Sequence, residues 1–217
     1  MEYDLLLFDM DGTLVDSKEG IIDSVMYALG CFGFGVEDGF NFDDLLGPPI
    51  REGFHMLGDF ADEQVEGLVA KYREDFTARG MFEARLYPGI EAMLAEFKAR
   101  GANMAVATSK VTIYAEKILS HFGIAHYFDI IAGANLDGSR SEKPEIIAHV
   151  LDSLDKDRKL KVAMIGDRKY DILGAKAHNI TSVGCLWGYG GQAELENAGA
   201  CFLVDSPKDL LKMLKMG

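Results

Sequence analysis

Two aspartates stand two residues apart near the start of the chain, in the run Phe8-Asp9-Met10-Asp11-Gly12-Thr13. Continued strand geometry sends alternate side chains to one side, so Asp9 and Asp11 are expected to face a common pocket. Carboxylates so placed repel each other unless a cation or a shared proton relieves them, and a carboxyl that keeps its proton is a ready general acid. A second acidic pair, Asp167 and Asp171, follows Gly166. Its spacing of four brings the two together if a helix begins there, and Asp171 reads equally well as a helix cap. Carboxylates from two strand ends make an oxygen-rich site suited to Mg²⁺, which takes a few protein oxygens and keeps waters and substrate phosphate for the rest. Thr108 and Ser109 offer hydroxyls able to hold a phosphoryl oxygen, and Lys143 stands just before Pro144, where a helix is expected to begin. Taken singly, an aspartate at a strand end, a Thr-Ser pair and a lone lysine are commonplace surface or capping residues. Their shared position is what counts. Asp9, Thr108 and Asp167 each follow an expected strand, and in open α/β sheets the site lies at the carboxyl ends of strands.

Those strands are short apolar runs: Leu5 to Phe8, Asn103 to Ala107, Phe128 to Ala132, Lys161 to Ile165, Thr181 to Leu186 and Cys201 to Val204. Helical spacing separates them, as in Ile90, Met93, Leu94 and Phe97, or Ile146, Ile147, Val150, Leu151 and Leu154. Alternation of this kind predicts an α/β fold, a Rossmann-like, mostly parallel sheet covered on both faces. Residues 15–83 break the alternation, with helix following helix: Asp16 and Glu19 form a capping pattern ahead of Ile21, Ile22, Val25, Met26 and Leu29, and Val65, Leu68, Val69, Tyr72 and Phe76 make another apolar face. The expected organisation is a core of residues 1–14 and 84–217 with a helical insertion at 15–83 after the first strand.

The formal net charge of −13 makes nucleic-acid polymers and anionic membranes poor partners. A small phosphorylated metabolite remains compatible, given local cations. The three cysteines, Cys31, Cys185 and Cys201, are widely spaced and odd in number, which favours reduced thiols over a disulfide or zinc framework. The five histidines form no H-x-x-x-H pair. With no basic leader before Leu5 and no apolar run near the ~20 residues of a membrane span, a cytoplasmic protein is expected.

The ordered set Asp9-Met10-Asp11-Gly12-Thr13, Thr108, Lys143 and Gly166-Asp167 to Asp171 resembles the haloacid dehalogenase superfamily along the whole chain. Leu14-Val15-Asp16-Ser17 is similar to its phosphoglycolate-phosphatase-like branch, and Gly166 to Asp171 with Leu186-Trp187-Gly188-Tyr189-Gly190 to a bacterial 5′-nucleotidase-like subgroup. The resemblance implies a Mg²⁺-dependent phosphatase in which Asp9 attacks phosphorus, Asp11 serves as acid and then base, and Thr108, Ser109 and Lys143 hold the phosphoryl group. Asp9, the Asp11 carbonyl and Asp167 would carry the metal, with Asp171 in support, and residues 15–83 would form a cap. A carboxylate at Asp11 favours phosphate-ester chemistry over the family's dehalogenases. A sugar phosphomutase and a receiver-type signalling module are the alternatives, the second disfavoured by the insertion and by the D-x-D-G-T order. In the turn Leu46-Gly47-Pro48-Pro49-Ile50-Arg51, Arg51 is a candidate for reading an anionic or polar leaving group; the competing reading is that the prolines simply start a helix and leave Arg51 solvated.

Overall fold

An apolar run without a polar break is satisfied by a strand covered on both faces, and β1 (Leu5–Phe8) is fully buried. The computed structural model describes residues 3–157 and 159–214. After β1 come a two-residue strand β2 (Val15–Asp16), helices α1 (Lys18–Phe32), α2 (Ile50–Leu57) and α3 (Asp62–Ala78), and the short strand β3 (Arg85–Leu86). The alternation then resumes with α4 (Ile90–Ala99), β4 (Asn103–Val111), α5 (Thr112–His121), β5 (Ile130–Ala134), α6 (Lys143–Leu154) and β6 (Val162–Gly166). It closes with α7 (Lys169–Ala177), β7 (Thr181–Cys185), α8 (Gln192–Ala198), β8 (Phe202–Val204) and α9 (Pro207–Met213).

Six strands form one sheet in the order β5-β4-β1-β6-β7-β8, each neighbouring pair parallel. β1 lies between β4 and β6, where the strand order reverses, and that is where a doubly wound sheet opens a crevice. Leu5 and Leu7 pack on one face with Ile146, Ile147, Val150 and Leu151 of α6 and with Ala175 of α7. On the other face the Phe8 ring meets Phe97 of α4 and Phe128, with ring centres 6.4 and 6.1 Å apart. Burying both faces of β1 fixes its register, because a one-residue slip would exchange the two sets.

By contact density the chain divides into two compact units: Ser17–Arg85, and the residues up to Asp16 together with those from Leu86 onward. Within Ser17–Arg85, α1 presents Ile21, Val25 and Leu29, and α3 presents Val65, Leu68, Val69, Tyr72 and Phe76, all buried. The chain comes close at Gly20, where a Cβ would lie 1.9 Å from the Gly80 carbonyl oxygen.

Three local expectations are corrected. The first helix starts one residue later than the Asp16–Glu19 pattern suggests: α1 has Ser17 at its N-cap, and Asp16 ends β2 with its carboxylate accepting from the Tyr189 hydroxyl at 3.2 Å. The strand expected from Phe128 begins instead at Ile130, because residues 125–127 coil into a 3-10 turn and Asp129 is held by Met104 through backbone and side chain. The second long strand continues past Ala107 to Val111, with a shift in its pairing to β5 between those residues. No described helix is long and apolar enough to cross a membrane.

Candidate active site

β1 delivers Asp9 to the carboxyl edge of the sheet, where its N–H donates to the Ile165 carbonyl of β6 at 2.8 Å. The strand ends at Phe8 rather than running through Asp11. A turn takes over: the Met10 carbonyl accepts from Thr13, Leu14 and Val15, and Gly12 adopts a φ of 81°. Glycine is required at that position twice over, since the backbone is left-handed and a Cβ would sit 2.2 Å from an Asp167 carboxylate oxygen.

Asp167 follows β6, and α7 starts two residues later. Asp171 therefore approaches by folding back over the helix start, its Oδ2 accepting from the Arg168 N–H at 3.1 Å. Gly166 permits this, because a Cβ there would meet the Asp171 carboxyl carbon at 2.1 Å. Capping and site membership are thus combined in one residue. Asp9, Asp167 and Asp171 bring carboxylate oxygens within 4.8 Å of one another, all three side chains buried.

Lys143, first residue of α6, is 3% exposed and inserts between two of them, its Nζ 2.8 Å from both Asp9 Oδ1 and Asp171 Oδ1. Both contacts lie at the distance of a charge-assisted hydrogen bond. Nζ also donates to the Ala107 carbonyl at 2.9 Å. Burial would lower the Lys143 pKa, but the Asp171 and Asp9 carboxylates outweigh it and hold the ammonium above the ordinary lysine value. Burial raises the Asp167 carboxyl well above the usual range, and Asp9 and Asp171 raise it further. Asp171 is raised by burial as well, against the opposing pull of Lys143. Three carboxylates around one ammonium leave an excess of buried negative charge, and their donor set is all oxygen. A hard divalent cation such as Mg²⁺ fits that arrangement.

Thr108, 1% exposed, and Ser109 lie in β4 where the pairing to β5 shifts, so that Ala107 faces Ala132 but Val111 faces Ala134. Gly133 accommodates the bulge, since a Cβ there would be 2.1 Å from the Lys110 carbonyl oxygen. A bulge re-aims side chains at a strand end. Lys110, absent from the candidates drawn from the sequence, places Nζ 3.1 Å from Asp11 Oδ2, both side chains nearly buried. The Asp11 carboxylate consequently lies with Lys110, while the acidic cluster is made by Asp9, Asp167 and Asp171. Thr13, which the sequence shows only as the last residue of the run from Asp9, donates from Oγ1 to Asp167 Oδ1 at 2.9 Å. Arg51 lies in the Ser17–Arg85 unit, on α2 just after Pro49, and pairs with Glu66 of α3.

The family model of haloacid dehalogenase-like hydrolases matches residues 6–185, spanning every core residue of this site. The chain belongs to that family. Relatives of the chain include tyrosine-protein kinase PtkA of Mycobacterium tuberculosis, 42% identical over 86% of this chain; the chain spans only 63% of that protein's length. A 5′-nucleotidase of Pseudomonas aeruginosa is 38% identical over 90% of this chain and 88% of its own. Among solved haloacid dehalogenase-like folds, a predicted phosphatase from Clostridium acetobutylicum superposes with a TM-score of 0.92 at 42% identity, covering 98% of both chains.

Proposed function

We propose that the protein is a Mg²⁺-dependent phosphatase of small phosphate monoesters, of the phosphoglycolate or nucleoside-monophosphate type, working through an aspartyl-phosphate on Asp9. The observation that carries this reading is the buried trio Asp9, Asp167 and Asp171 with Lys143 among them, at the carboxyl ends of the two central strands. Asp9 attacks phosphorus, an Asp9 oxygen forms the new P–O bond, and the ester P–O bond breaks. Asp11 gives its proton to the departing oxygen and then, as carboxylate, takes one from the water that cleaves the aspartyl-phosphate, releasing inorganic phosphate and restoring Asp9. Lys143, Thr108 and Ser109 hold the phosphoryl oxygens. Lys110, beside Asp11, orients that carboxylate. Asp9, Asp167 and the Asp11 carbonyl, with Asp171 in support, hold Mg²⁺, which when bound neutralises charge on the phosphoryl oxygens.

The core side chains named here deal only with phosphate, so the rest of the substrate needs another reader. We assign it to the Ser17–Arg85 unit acting as a cap, with Arg51 as the candidate side chain. The name of the Pseudomonas relative favours nucleoside monophosphates as the first class to assay. The test is a panel of small phosphate esters assayed with Mg²⁺ and again after chelation. Mg²⁺-dependent phosphate release, lost with chelator and restored by metal, supports the proposal. Release unaffected by exhaustive chelation removes the metal from it, and transfer from ATP to tyrosine without ester hydrolysis replaces it with kinase activity.

A further inference from the structure

The loop after β7 reaches across the neighbouring strand. β7 pairs with β6, and β6 with β1, so a residue following β7 must pass the end of β6 to touch the turn that follows β1. Residues 187–190 do so. The Trp187 indole Nε1 donates to the Thr13 carbonyl at 3.0 Å, and Thr13 Oγ1 donates to Asp167 Oδ1 at 2.9 Å. The Tyr189 backbone N–H donates to Asp167 Oδ2 at 2.8 Å, and the Tyr189 hydroxyl donates to Asp16 at 3.2 Å. Gly188 and Gly190 make the crossing possible. A Cβ on Gly188 would lie 2.3 Å from both the Gly12 carbonyl oxygen and the Asp167 Cβ, and one on Gly190 would lie 1.9 Å from the Asp167 carbonyl oxygen.

Each oxygen of the Asp167 carboxylate, which is fully buried, thus accepts one directed hydrogen bond: one comes from the loop itself through the Tyr189 N–H, the other from Thr13 Oγ1, whose own backbone carbonyl accepts from the Trp187 indole. A carboxylate held at both oxygens is fixed in rotation, so its remaining lone pairs are aimed before any cation arrives. Partners of this kind tune metal affinity almost as strongly as the ligands themselves.

We propose that Trp187 is a positioning residue for divalent-cation binding, acting through Thr13 on Asp167, and that the loop 187–190 orients Asp167. The inference rests on the reading of Asp167 as a metal-holding residue. Removing the indole N–H lets the Thr13 turn relax and weakens Mg²⁺ binding about 10-fold, a typical effect for a group behind a metal ligand.

The experiment is Mg²⁺ calorimetry on the full chain, with thermal unfolding measured separately without metal. Wild type, Asp167→Asn, Trp187→Phe, Thr13→Val and the double variant Trp187→Phe/Thr13→Val are compared. If wild type binds no Mg²⁺, or Asp167→Asn binds as wild type does, the metal assignment itself fails and this inference with it. If wild type binds and Asp167→Asn does not, the assignment stands and the other variants decide. Trp187→Phe with Mg²⁺ affinity lowered about 10-fold, and a double variant no weaker than the weaker single one, supports action through Thr13. Unchanged affinity in Trp187→Phe, or independent effects that multiply in the double variant, overturns it. Trp187 is the chain's single tryptophan, so global replacement by 3-benzothienylalanine removes the N–H while keeping the ring shape. That replacement decides the matter by the same criterion if Trp187→Phe does not fold.

Discussion

At the scale of single residues, the site is a balance of buried charge. Asp9 has the placement of a nucleophile, and its amide counterpart has neither the nucleophilicity nor the charge the reaction needs. Asp9→Asn is expected to reduce turnover by at least ~10³-fold, as measured by phosphate release from the best ester on protein free of wild type. Near-normal turnover would remove the covalent step. Lys143 has a different consequence, because it neutralises two buried carboxylates. Breaking a buried pair by removing one partner leaves an uncompensated charge and costs about 3 kcal/mol or more. Lys143→Met is therefore expected to lower the metal-free Tm by roughly 6–12 °C. Adding Mg²⁺ should raise the variant's Tm by more than it raises that of wild type, since the cation then supplies the charge that the ammonium supplied. Equal Mg²⁺ shifts in both proteins would show that the lysine and the cation answer different carboxylates.

At the scale of elements, the start of α7 is held by α8. Glu194 of α8 accepts from Arg168 Nε at 2.9 Å and from the Lys169 N–H at 2.8 Å, binding the segment that leads from Asp167 into α7. Burial would raise the Glu194 carboxyl, but the Arg168 guanidinium and the Lys169 N–H outweigh it and hold the carboxyl below the ordinary glutamate value of 4.5. A carboxyl with a depressed folded-state pKa binds its proton less readily in the folded than in the unfolded chain. Its contribution to stability is complete above the unfolded value and is lost as pH falls through the folded one. The expected result is a Tm difference between wild type and Glu194→Gln that is full near pH 7 and narrows as pH falls below about 4.5. A difference that stays constant or widens on acidification would show that the helices are held together by packing, without the carboxylate.

At the scale of the whole molecule, the proposal assigns phosphate chemistry to the α/β unit and leaving-group selection to Ser17–Arg85. Arg51 tests the second half. Its pair with Glu66 is solvent-exposed, and such pairs contribute ~1 kcal/mol or less. Arg51→Ala should then shift Tm by only ~2–4 °C. The expected kinetic outcome is a loss of about 10-fold in kcat/KM on a nucleoside monophosphate or phosphoglycolate, with little change on a small activated aryl phosphate. Equal effects on both esters, or none, would show that Arg51 serves only its partner on α3.

Much of the architecture was legible in the sequence because it is local. Buried strands such as Leu5 to Phe8 and helical stripes such as Ile146 to Leu151 announce themselves through side-chain periodicity, and the interruption after the first strand follows from the same patterns. Asp9, Thr108 and Asp167 could be placed near strand ends on that basis alone. What periodicity lacks is strand order. The hydrogen bond from Thr13 to Asp167 joins residues 154 apart, and that from Trp187 to Thr13 joins residues 174 apart. Both exist because β1, β6 and β7 lie side by side, an order set by how the sheet buries its two faces rather than by any short stretch of chain. Lys110 was hidden for a related reason, since its meeting with Asp11 depends on the pairing shift between β4 and β5. The bond from the Tyr189 hydroxyl to Asp16 was invisible for the same reason, since a capping pattern is a local statement and Tyr189 lies far along the chain. Sequence by itself therefore determined most of the elements and supplied the candidate residues for the chemistry, through short-range periodicity and side-chain type. Only the tertiary structure decided which of those residues meet, because packing across the sheet brings together groups that the chain keeps far apart.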